Sequence, residues 1–288
     1  MSYANPAYLV SAEELHAHLT DDSWRVFDTS VFLTPQGHGY QIDSGRERYR
    51  EAHIPGAGFI DLADDWADTS NELRFTLPQR DPLNAAIGAS GISADHKVVL
   101  YSSGHLMWAT RAWWLLHHAG HKDIAILNGN LSAWQAAGFP LNQGDEGYPA
   151  EVFSPSTAID RFATTSQVEA GMHGATCTLN ALSRSLYEGT GDFYYQRRGH
   201  IPGSRLLYYD TLLDNEFFRP AGELREALQQ VGAMDADHVI TYCGGGIAAT
   251  LDAFACALVG QENVAVYDGS MSEWVQNPDR PLTVGSAP

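Results

Sequence analysis

Val239-Ile240-Thr241-Tyr242-Cys243-Gly244-Gly245-Gly246-Ile247-Ala248 is a short apolar run, a cysteine and three glycines opening a stretch of helix formers that reaches Val259. The pattern reads as strand, loop and helix. Glycines let the backbone curl without a Cβ clash. Curled amide N–H groups point inward and form an anion-binding nest, backed by the positive end of the helix. A thiol held there is favoured as thiolate, the form that attacks. A lone cysteine after an apolar strand is ordinarily core. The three glycines turn the reading toward a nucleophile, with Gly244, Gly245, Gly246, Ile247 and Ala248 as the anion-binding backbone.

The block has a partner elsewhere in the chain. Thr110, Gly120, Gly129 and Trp134 recur as Thr250, Gly260, Gly269 and Trp274, at a constant offset of 140 residues. His53-Ile54-Pro55-Gly56 recurs as His200-Ile201-Pro202-Gly203. Each block runs from apolar strand to loop and helix, then to a second strand (124–127; 264–267), a turn and a short helix bearing the tryptophan. Strands alternating with helices predict an α/β fold of mainly parallel sheets covered by helices, here in two tandem copies. We divide the chain at 1–142 and 159–288. Residues 143–158 form a linker, since 141–156 carry Gly144, Gly147, Pro149 and Pro155 with little periodicity. A first helix is expected at 11–19, opened by a capping box of Ser11 with Glu14, followed by a strand at 25–28.

Composition narrows the function. The 288 residues carry 35 acidic and 17 basic side chains, a formal charge of −18. That opposes a nucleic-acid or anionic-membrane partner. No apolar run has the ~18 residues of a membrane span. The first ten residues lack a basic segment followed by an apolar core. The three cysteines, Cys177, Cys243 and Cys256, form no Cys-x-x-Cys pair. A reducing, cytoplasmic setting is expected. Aligning Tyr101 with Tyr242 places Ser102 opposite Cys243. The first copy therefore lacks the thiol, and its loop (Ser103, Gly104, His105, Leu106, Met107, Trp108) is bulkier. Ser102 and His105 stand too close in sequence for a triad, and no Gly-x-Ser-x-Gly elbow is present. Cys256 reads as core on an apolar helix face, and Cys177 falls in a strand.

The ordered, duplicated set resembles the two-domain rhodanese family of sulfurtransferases over nearly the whole chain. It comprises the strand ending in Asp28, the two His-Ile-Pro-Gly turns, Arg111-Ala112-Trp113-Trp114, and Asn128-Gly129 with Trp134. The second half adds Cys243 with its loop and Asp268-Gly269 with Trp274. The resemblance implies an inactive first domain and a catalytic second one. Its chemistry is sulfane-sulfur transfer from a small anionic donor, 3-mercaptopyruvate or thiosulfate, to a thiol or cyanide, through a Cys243 persulfide and without metal or cofactor. The small, uncharged Gly244-Gly245-Gly246 run looks closer to the mercaptopyruvate type, although Gly245 lacks the hydroxyl expected there. Asp28 and His53 match the aspartate and histidine that accompany that hydroxyl, so both join Cys243 as catalytic candidates. A structural role stands beside the catalytic one for His53 and is preferred for His200. The family's Asp-Ala-Arg-Ser stretch falls on Asn180-Ala181-Leu182-Ser183, which removes an anion-binding arginine. Arg197 or Arg198, and failing these Arg184, would supply the charge. A cysteine phosphatase needs Cys-x5-Arg, and the residue six past Cys243 is Ala249. The remaining alternative is a persulfide carrier or sensor without turnover.

Overall fold

In the computed structural model, the described residues are 2–37, 39–155, 157, 159–172, 174–191, 195 and 197–288. They build two five-stranded parallel sheets of the same strand order. The first runs Leu9–Val10, Ile124–Leu127, Lys97–Tyr101, Trp24–Asp28, Gly58–Phe59. The second runs Phe162–Ala163, Val264–Tyr267, His238–Tyr242, Thr176–Asn180, Arg205–Leu206. The central strands are buried along almost their whole length, as parallel strands covered on both faces must be. The strands read from sequence at 124–127 and 264–267 are those observed.

The halves meet through their central helices, Met107–Ala119 and Ala249–Leu258. Thr110 Oγ1 and Thr250 Oγ1, equivalent in the repeat, stand 2.8 Å apart in this seam. The helices are buried on nearly every side, with Trp113, Trp114, Phe254 and Leu258 at most 1% exposed, because each packs on its own sheet and on the other half. Asn128 and Asp268, again equivalent, each reach across the seam. Asn128 Oδ1 accepts from Phe218 N (3.0 Å), and Asp268 Oδ2 accepts from Leu77 N (2.7 Å).

Two details of the first helix differ from the sequence reading. The first helix is Ala12–Ala17, shorter than 11–19. Ser11 accepts from Glu14 N, but the reciprocal bond of a capping box forms instead at Thr164 and Gln167. Much of the 143–158 stretch is packed rather than loose: Tyr49 Oη donates to Glu146 O, Tyr148 Oη accepts from Val26 N, and Glu151 N donates to Gly88 O. Positions 156 and 158 of it lie outside the described residues. At the other end, Ala4 N and Asn5 N donate to Leu258 O, so the first residues brace the second half.

Candidate active site

Cys243 follows the last residue of the strand His238–Tyr242 and opens the loop that leads into the helix Ala249–Leu258. Cys243 N donates to Ser270 Oγ, and Cys243 O accepts from Met271 N. Ser272 donates to Gly244 O through both its amide (2.9 Å) and its hydroxyl (2.7 Å). These bonds pin the loop by its carbonyls. The backbone N–H groups of residues 244–248 find no acceptor among the described residues. Gly246 has φ +75°, and a Cβ there would collide with Asp268 O.

Cys243 is 3% exposed and lies in the wall of a cavity of about 760 Å3. Both halves build that cavity. The first contributes a two-stranded hairpin (Val31–Gln36, Gly39–Ser44), the segment 72–76, and Met107 and Trp108. The second contributes the Cys243 loop with Leu182, Leu186, Tyr208 and Tyr209. Burial pushes the Tyr209 hydroxyl up, with Tyr208, Asp210 and Cys243 adding to the effect, so it remains a proton donor. Arg74 is a lining cation.

A residue that the sequence reading cited only for the resemblance braces the loop. Arg111, 1% exposed, donates to Phe75 O (2.6 Å) and to Gly246 O (3.3 Å). Its Nη1 also stands 2.8 Å from Asp268 Oδ1, an ion pair whose angle makes no hydrogen bond. One buried guanidinium thus holds a cavity-lining segment of the first half, where Phe75 has φ +60°, against the loop of the second. The available signal was an asymmetry of the repeat: Arg111 and Asp268 stand opposite Leu251 and Asn128.

The other candidates separate from Cys243. Asp28 and His53 are absent from the cavity lining. Asp28 is fully buried at the end of its own strand, where Oδ1 accepts from Ser30 N (2.8 Å) and from the Ser30 hydroxyl. Asn180, its counterpart, accepts from Leu182 N (2.8 Å) in the same way. Burial pushes the Asp28 carboxyl up to about 6, opposed by the Ser30 bonds. His53 stacks on Tyr49, and its Nδ1 bonds Tyr49 O (2.7 Å). His200 repeats this with Tyr187 (2.8 Å). Each histidine also pairs with the returning end of its half, at Asn142 or Thr283. The strand end and the turn need these groups in both copies, which is a bracing role. Arg197 is tied to Asn277 O (2.8 Å) and Arg280 O (2.6 Å), and neither Arg197 nor Arg198 lines the cavity. Arg184 pairs with Glu188 at 3.2 Å. Cys256 is fully buried, and Cys177 Sγ donates to Val231 O. No group of three metal-ligating side chains occurs among the described residues, and no helix among them is long and apolar enough to cross a membrane.

Two matched α/β units bring a cysteine on a glycine loop to the wall of a cavity that both halves build. Comparison with known proteins assigns the family. The family profile described as Rhodanese-like domain matches residues 11–137 and 183–277. A probable 3-mercaptopyruvate sulfurtransferase of Pseudomonas aeruginosa is 32% identical, over 97% of this chain and 99% of that protein. Thiosulfate/3-mercaptopyruvate sulfurtransferase 2 of Arabidopsis thaliana is 29% identical, over 97% of this chain and 87% of that protein. The crystal structure of SseA from Escherichia coli, described with the fold and mechanism of 3-mercaptopyruvate sulfotransferases, superposes with a TM-score of 0.81 at 26% identity. It covers 91% of this chain and 98% of SseA. The chain belongs to the rhodanese family and is an enzyme of the rhodanese sulfurtransferase type.

Proposed function

We propose that the enzyme carries sulfane sulfur as a persulfide on Cys243, taking it from 3-mercaptopyruvate in preference to thiosulfate and passing it to a thiol or to cyanide. One observation carries this reading: Cys243 lies in the wall of the shared cavity, at the head of a run of five backbone N–H groups without an acceptor among the described residues. The thiolate attacks the donor sulfur. The Sγ–S bond forms, the donor C–S bond breaks, and its electron pair leaves with pyruvate as the enolate, which then takes a proton. The loop amides stabilise the anionic persulfide and the charge that develops before it. Two half-reactions through one covalent intermediate give ping-pong kinetics.

The donor order follows from charge. Leu182, 7% exposed in the cavity wall, stands where the resemblance implies an arginine. An aliphatic wall cannot compensate a second negative charge. A monocarboxylate needs one cation, and Arg74 is placed to supply it. Steady-state kcat/KM for the two donors, with cyanide as acceptor, tests this. Mercaptopyruvate should lead, and Arg74→Ala should lower its kcat/KM by about ten- to a hundredfold, the loss of one charge-assisted contact. A clear preference for thiosulfate overturns the donor order. Leu182 also favours the second reading, a carrier that loads without turning over. Sustained thiocyanate production excludes it.

A further inference from the structure

We infer that the acceptor which discharges Cys243 is a small thiol with a bulky apolar body, most favourably an aromatic one, that fills the cavity beside the persulfide. The inference rests on the sulfur-transfer reading above and names its second substrate. The cavity, about 760 Å3, lies in the range of ~300–1,000 Å3 that takes drug-sized ligands, far more than a three-carbon donor occupies. Its wall is apolar and aromatic: Leu33, Tyr40, Phe75, Trp108, Leu186 and Tyr209 converge on it. Charged lining residues among those described are few. Arg74 and Glu72 reach solvent, and Asp268 is paired with Arg111. An anionic acceptor body would find little compensation there, whereas an apolar one would leave water for a matching surface.

The hairpin of the first half points the same way. In its register Leu33 lies opposite Ile42, and Tyr40, two residues before Ile42, shares that face. All three line the cavity, yet Leu33 is 37% exposed and Tyr40 46%. A two-stranded sheet has little stability of its own and ordinarily buries such a face. Here the face is turned to the cavity. Flat aromatic walls favour an aromatic guest, through offset or edge-to-face contacts. The sulfur end of the guest meets the loop amides, which are already suited to anionic sulfur.

The step balances. The acceptor thiolate attacks the outer sulfur of the persulfide, a new S–S bond forms on the acceptor, and the Sγ–S bond breaks. Its electron pair returns to Cys243 as thiolate, and the product leaves as an organic persulfide anion. No external oxidant or reductant is required.

The test uses the full chain and two primary alkyl thiols of similar nucleophilicity, 2-phenylethanethiol and ethanethiol, with cyanide as a third acceptor. Burial of the phenyl group should raise kcat/KM for the aromatic thiol over ethanethiol by about tenfold to a hundredfold. Leu33→Ser and Tyr40→Ala should each shrink that ratio at least threefold. Both positions are partly exposed, so the variants should fold. A ratio near one, while cyanide still discharges the persulfide, overturns this inference and leaves sulfur transfer standing. So does a high ratio that neither variant moves. An enzyme that neither loads nor turns over with cyanide overturns both.

Discussion

The two loops at equivalent strand ends, Ser102 to Met107 and Cys243 to Ala248, show how one fold makes a closed end and an open one. In the first, hydroxyls and a side-chain amide take up most of the early turn from within. Ser102 N donates to Asn130 Oδ1, Gly104 N to Ser102 Oγ, and Asn130 Nδ2 to Gly104 O. Ser30 Oγ lies 3.2 Å from Ser102 Oγ and 2.9 Å from Ser103 Oγ. Ser102 is fully buried, and the amides of Ser103 and Gly104 donate to Ser30 Oγ and Ser102 Oγ. In the second, Leu182 stands where the first half has Ser30 and offers no hydroxyl, and glycines replace the bulkier residues. The amides of residues 244–248 are left beside a cavity to which the first half lends its hairpin and the 72–76 segment. A loop with free amides therefore needs more than a glycine run. It needs neighbours that decline to satisfy them.

The largest effect on stability should come from the seam beside the open loop. Arg111→Met leaves Asp268 without its cation and frees the Phe75 and Gly246 carbonyls. Breaking such a pair costs about 3–5 kcal/mol, measurable by denaturant unfolding. Adding Asp268→Asn makes the turn match Asn128 and should recover part of the loss. A single-variant cost under about 1 kcal/mol, the scale of an exposed ion pair, would show that the pair does not brace the loop.

A smaller effect is expected at Asp28→Asn, which makes the first half match Asn180. Near 6, the native carboxyl titrates above its unfolded value of about 3.9, so the native state binds the extra proton between them. The stability that neutral Asp28 contributes is full below about pH 4 and is lost as pH rises through about 6. The loss amounts to up to about 3 kcal/mol relative to the variant. Unfolding curves taken at steps from acid to neutral pH should show the variant gaining on the parent and then levelling off. Sulfur transfer by the variant should stay within a few-fold. A loss of about a hundredfold, the scale of a catalytic group, would restore Asp28 to the catalytic set.

What the sequence disclosed was local. Cys243, its glycines and the strands around them lie within one stretch of chain, and the repeat is visible because both copies keep the residues that fold them. Asp28 and His53 were catalytic candidates through the family resemblance; the structure sets both outside the cavity lining, in bonds that Asn180 and His200 repeat in the other half. The cavity was not legible, since its wall converges from segments as far apart as Leu33 and Gln276. Arg197 and Arg198 were candidates to replace the arginine that the resemblance implies at Leu182; neither lines the cavity, whereas Arg74 of the first half does.

Intact mass after incubation with 3-mercaptopyruvate is the most direct test of the central claim, that the open loop alone carries sulfur. The parent and Ser102→Ala should each gain about 32 Da, one sulfur on the nucleophile. Cys243→Ser should gain nothing, and Ser102→Cys added to it should not restore the gain, because that loop is closed. An added sulfur on Cys243→Ser, or its return in the double variant, would contradict the account.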